Sequence, residues 1–207
     1  MRTLSALLIT VLAAIPASAQ SLHLPAGTSG IEGSVGWSVG PSSNGVESHV
    51  GVSLEGRFDV GLGFNHYTFA FGDGSDSDFN EYAPFVRWFP IKESDGHPVS
   101  LSVNGQVFVD DYNSDDSGNF VQFGTTVYKN FDLGANFAIQ PFFGFAFVAE
   151  SYTFGDDNEK AQYLTRDLGL HLSTNPTRPW ILRFTLLDQS FRRETYRGAR
   201  LAVVKTL

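Results

Sequence analysis

The chain of 207 residues contains no cysteine, which excludes disulfides, thiolate metal centres and lipid attachment at an N-terminal cysteine. An exported domain without disulfides must be held by its own sheet or by its surroundings. Positive charge is scarce: 14 Lys and Arg face 22 Asp and Glu, for a formal net charge of −8. An acidic balance of this kind argues against nucleic acid as a partner, because phosphate backbones reward clustered Lys and Arg. After residue 19 no apolar run is long enough for a helix to cross a bilayer. Helical periodicity of useful length is missing too, so a membrane crossing, if there is one, has to be made by a closed set of strands.

The first residues have a character of their own. Arg2 precedes an apolar run from Leu4 to Ile15, and Pro16 and Ala17-Ser18-Ala19 follow. A charged start, a short hydrophobic core and a small-x-small site make a secretory signal peptide over 1–19, cut before Gln20. The apolar run is too short to be a transmembrane helix. Removing it takes away Arg2 and makes the mature chain one unit more acidic. Residues 20–207 then form a single domain, with Ser21 to Thr28 as a leader into it.

Alternation is what the mature chain has in abundance. In VSLSVNGQVFVDDY, Val99, Leu101, Val103, Val107 and Val109 fall on one side of an extended backbone. Ser100, Ser102, Asn104, Gln106 and Asp110 fall on the other, because side chains in a strand alternate with a period of two. The same unit recurs about ten times, separated by turn clusters such as PSSNG, GDGSDSD, NSDDSGN and STNPTRP. The expected segments are 29–39, 46–55, 58–71, 79–89, 99–112, 120–131, 136–154, 161–173, 180–187 and 195–207. Eight strands remain an alternative, since the first two segments are the weakest. The fold class is all-β, a closed antiparallel up-and-down barrel.

One face of these segments is apolar nearly throughout, and the other carries the ionisable groups. In a soluble barrel the apolar face is the core, whereas in a membrane barrel it meets lipid and the polar face lines the lumen. Long strands and an even count favour the membrane. So does an aromatic girdle of Trp37, Tyr82, Trp88 and Trp180, placed near expected strand ends. The lumen charge network is then Glu32, Glu47, Glu81, Arg87, Asp110, Glu150, Asp167, Arg183 and Arg200. A buried charge is costly without a partner, so these groups need either mutual pairing or water.

The signal peptide, the alternating strands, the hairpin YKNFDLGANFAIQPFFGF and the end TYRGARLAVVKTL resemble the small bacterial outer-membrane β-barrel proteins, the porin-like and OmpA-like barrel families. That resemblance implies a Gram-negative outer membrane, both termini on the periplasmic side, and lipid, lipopolysaccharide and the barrel-insertion machinery as partners. The chain ends in Leu207, where those families usually end in an aromatic residue. Counting strands from a periplasmic N-terminus places the acidic connections outside: Asp73, Asp76 and Asp78; Asp115 and Asp116; Asp156 and Asp157. Carboxylates of this kind suit Ca²⁺ or Mg²⁺, yet none fits the D-x-[DN]-x-[DN]-G calcium loop. They read as solvated turns, and no metal or cofactor is expected.

Enzymatic signals are thin. His171-Leu172-Ser173 resembles the His-x-Ser pairing of outer-membrane lipid A deacylases, in which His would activate Ser. The next acid, Asp188, lies a full strand away, so no residue is assigned a catalytic role. Arg166, on the apolar face, is expected at headgroup level. The function expected is a structural barrel or a small-solute porin with a narrow polar lumen. The alternatives are an adhesin acting through its acidic outer loops, or a secreted soluble barrel carrying an apolar ligand.

Overall fold

A computed structural model describes residues 24–207 apart from 42, 71–75, 113–116, 155–156, 176–178 and 192–193. The signal peptide, Asp73, Asp115, Asp116 and Asp156 lie outside the described residues. Among those residues no helix is long and apolar enough to cross a membrane, and the one helical element is a single 3-10 turn, Glu93–Asp95.

The strands are β1 Gly30–Val39, β2 Ser43–Leu54, β3 Phe58–Ala70, β4 Asp76–Ile91, β5 Ser100–Tyr112, β6 Ser117–Tyr128, β7 Phe131–Leu133, β8 Phe137–Phe154, β9 Asp157–Thr174, β10 Trp180–Phe191 and β11 Glu194–Thr206. Each barrel strand pairs antiparallel with its neighbours in sequence. The sheet closes where β1 meets β11, with Gly30 opposite Thr206 and Trp37 opposite Ala199. The three-residue β7 continues the line of β6 and pairs with the start of β8, so the wall has ten strands. Eight is ruled out because β1 pairs with β2 along its whole length.

An even count puts both ends of the chain at one rim, the terminal end, together with the β2–β3, β4–β5 and β9–β10 turns. Local sequence fixes those turns. Glu55 and Gly56 both have positive φ, 54° and 60°, and Arg57 N donates to Leu54 O at 2.9 Å. That is the type I′ geometry whose twist suits a hairpin. In β4 the register against β5 shifts between Trp88 and Ile91, around Pro90, which has no N–H to give to a ladder.

The alternation becomes two surfaces. Outward side chains such as Val50, Phe64, Val86, Val121, Phe145, Leu168 and Leu182 form an exposed apolar band, with Leu164 70% exposed. The inward row is buried and polar, with Glu81 fully covered. A soluble protein hides its apolar face from water, and this one displays it, as a lipid-facing wall does. The soluble-carrier alternative is therefore not retained. The wall is uneven in height: β8 and β9 each have 18 residues while β1 has 10.

Candidate functional site: the barrel lumen

All nine charged residues of the expected lumen set point inward and are buried. Their partners differ with height. Toward the terminal end both signs occur together. Arg183 lies 3.5 Å from Glu32, and Arg87 stands directly opposite Asp59 on β3 while its Nε donates to Asn104 Oδ1 at 2.5 Å. Farther from the terminal rim, on the rung of Asn65 and Glu81, Arg200 is ion-paired with Glu47 across the β1 strand that separates β11 from β2. Asp167 accepts from Gln189 Nε2 at 2.5 Å.

Toward the far end the acids are accompanied by amides, phenols and rings. Glu81 accepts from Asn65 Nδ2 at 2.6 Å, and Glu150 accepts from the Tyr163 hydroxyl at 2.5 Å. Asp110 lies on β5 opposite Glu81. Beside these acids Phe108 stacks on Phe120 with ring centres 4.0 Å apart, packed with Ala83, Val148 and Tyr163. Tyr67 lies against Phe79 at 5.2 Å, and Tyr152 and Tyr196 are buried as well.

Sequence reasoning missed this inward aromatic layer. The signal for it was parity: Phe108 lies midway between Gln106 and Asp110, so it shares their face and not that of Val107 and Val109. Lower in the lumen Phe89, Tyr128 and Phe142 form a second apolar cluster. His171 stacks on Phe142 at 4.5 Å, and its Nδ1 is 2.7 Å from Thr185 Oγ1.

Between the two clusters lies a small chamber of about 30 Å³ lined by Arg87, Asn104, Gln106, Gln122, Thr126 and Asp167. Arg87 Nη1, Gln106 Nε2 and Gln122 Oε1 are buried there without a protein partner, so the chamber suits water or a small polar solute.

Of the four girdle residues, Trp37, Trp88 and Trp180 are outward and exposed. Trp180 opens β10 with Lys205 Nζ 5.1 Å above its ring, and Trp88 stacks on Phe58 near the terminal rim. Tyr82 is outward too, but mid-strand, edge-on to Phe64 at 5.5 Å. Arg166 is outward and exposed, opposite Phe145 on β8. Among the acidic connection residues, Asp76 begins β4, Asp157 begins β9 and Asp78 is exposed. Among the described residues no group of three or more His, Cys, Asp or Glu is placed to hold a metal.

No family model matches the sequence, and no curated protein matches it. Solved structures do match in fold. The translocator domain of the autotransporter NalP from Neisseria meningitidis is 11% identical, with 99% of this chain and 95% of that chain covered and a TM-score of 0.53. This chain has the outer-membrane β-barrel fold. Other outer-membrane barrels match with lower scores. Ail of Yersinia pestis is 9% identical, covering 88% and 99% of the two chains, with a TM-score of 0.46. Neisserial surface protein A is 6% identical, covering 86% and 95%, with a TM-score of 0.47.

Proposed function

We propose that this outer-membrane barrel is a structural membrane protein whose lumen is closed at rest. The observation that carries the reading is the stacked Phe108–Phe120 layer, packed against Ala83 and Val148 and projecting into the far half of the lumen from the β4–β8 side of the wall. Ten strands enclose a lumen between the filled eight-strand barrels and the aqueous porins. Here large buried rings, with Tyr67, Tyr152 and Tyr196 beside the stack, take up room that ten strands would otherwise leave to water. Export by cleavage before Gln20, folding by the barrel-insertion machinery, and lipid with lipopolysaccharide as surroundings belong to the same reading.

A second reading, a small-solute pore, is favoured by one feature. Polar atoms of Arg87, Gln106 and Gln122 open onto the mid-lumen chamber without protein partners, as they would along a wetted path. Conductance of the purified barrel in a planar bilayer decides between the two. Insertions without discrete steps are expected. Regular small cation-selective steps from the native chain would establish the pore and overturn the closed barrel.

A further inference from the structure

The terminal mouth holds an occupant that the barrel wall does not need. Residues 24–29, LPAGTS, precede β1 and turn into the opening. Leu24 is buried against Ile181 and Val204, residues of β10 and β11 on the lumen side. The buried ammonium of Lys92 donates to Leu24 O and to Gly56 O, and rests 4.5 Å over the Phe89 ring. Main-chain groups complete the seat. Ala26 N points to Ser94 Oγ at 3.4 Å, Gly27 N donates to Glu55 O at 2.8 Å, and Glu55 N donates to Ser29 Oγ at 3.0 Å.

The turns that supply these groups are tied to one another and not only to the segment. Arg57 Nη2 pairs with Asp95 at 2.5 Å, and Glu93 accepts from Asn130 N at 2.7 Å. The collar therefore has a basis for its shape without the segment. Gly56 matters in a second way, because a Cβ there would stand 2.3 Å from Pro25 O. The absence of a side chain at that position makes room for the segment. Beside Leu24 and Pro25, which form part of its wall, lies a vestibule of about 90 Å³ lined also by Gln140, His171, Ser173 and Arg183.

We propose that the terminal mouth is a binding site for a short extended peptide, filled in cis by Leu24–Ser29, and that its occupancy controls access to the vestibule. The chemistry defines the ligand. A branched apolar side chain fills the Ile181–Val204 pocket. Its carbonyl meets the Lys92 ammonium, and a residue with no N–H to satisfy follows it. The occupant named here is the chain's own segment. The proposal does not depend on whether the lumen conducts, because its reporter lies on the terminal side of the aromatic layer.

The chain has no cysteine, so Ser173→Cys places a single thiol in the vestibule. A charged methanethiosulfonate reagent is expected to modify it slowly in the otherwise native mature barrel. With Leu24→Asp added, modification should be at least about tenfold faster, since the burial lost with a leucine exceeds a decade in occupancy. The added peptide LPAGTS should restore the slow rate, and DPAGTS should not. Lys92→Met, which keeps the stem and removes both donated bonds, gives an independent route to the same open mouth if the aspartate variant does not fold. Folding is read from heat-modifiable migration. The proposal is overturned if the folded variants label at the native rate, or if LPAGTS leaves an accelerated rate unchanged.

Discussion

The two halves of the lumen face the same problem, ionisable groups away from bulk water, and solve it differently. Toward the terminal end positive and negative side chains are interleaved: Arg183 with Glu32, and Arg87 opposite Asp59. In the far half Glu81, Asp110 and Glu150 sit among Asn65, Tyr163, Phe108 and Phe120. Register explains the division. Arg183 and Arg200 stand on the last two strands, and β1 brings them within reach of Glu32 and of Glu47 on β2. Glu47 lies on the same rung of the ladder as Asn65, Glu81 and Asp110, so the Arg200–Glu47 pair stands at the border between the two halves. The lesson is that a net acidic lumen is not a uniform one. Charge pairing braces one half, and ring packing with neutral hydrogen bonds fills the other.

The comparison is broken most strongly by removing one member of a buried pair. Arg200→Ala leaves Glu47 buried without its guanidinium and should cost about 3–5 kcal/mol of barrel stability. The check is the urea midpoint of the lipid-embedded barrel, followed by heat-modifiable migration. Replacing both partners with apolar residues of similar volume should recover most of that loss, which separates an orphaned charge from lost packing. Phe108→Ala tests the other half. It removes one ring of the stack and should destabilise by about 3 kcal/mol. It should also convert silent insertions into discrete conductance steps in a planar bilayer, whereas Arg200→Ala should not.

A third test concerns the mouth. Burial pushes Lys92 down to about 8; among the charges around it Asp59 opposes that shift most, Arg57 adds to it and Asp95 opposes it. A lysine freed from the seat returns toward its ordinary value near 10.5. The seated form thus binds fewer protons between about pH 8 and 10.5, so raising pH through that window favours seating, by at most about tenfold per unit. Below about 8 both forms are protonated and the dependence vanishes. Ser173→Cys labelling, normalised at each pH to the Leu24→Asp background, should slow as pH rises from 8 to 10. A rate ratio that rises instead would show that Lys92 holds the segment chiefly through its charge.

Nearly all of the wall could be read from alternation. The ten expected segments fall within a few residues of the observed ones, because period-two patterning fixes the face of every side chain once one is placed. Strand ends moved most where polar residues continue the ladder past the apolar stripe, as at Asp157–Lys160 in β9. The contents of the lumen were harder to read. Phe79, Phe108, Phe120 and Phe142 share the inward parity with charged neighbours, but a ring is as much at home against lipid as inside, so composition gave no warning. Leu24 and Lys92 could not be read at all. Neither belongs to an alternating run, and their meeting joins the leader to a turn 68 residues away.

The finest distinction between the halves is at Glu81. On the carboxylate-rich side an acid faces Asp110 directly across the β4–β5 ladder, with Asn65 as its donor. Glu81→Gln keeps the size of the side chain, replaces a carboxyl–carboxyl contact and gives Asp110 an N–H to accept. Its oxygen can still accept from Asn65 Nδ2. The expected change in the urea midpoint is therefore small, within about 1 kcal/mol and in the stabilising direction. The matching substitution in the terminal half, Glu32→Gln, takes a charge from Arg183 and should destabilise. If Glu81→Gln proved as harmful as Glu32→Gln, the charge of Glu81 would be needed by its surroundings, and the far half could no longer be described as held by rings and neutral donors.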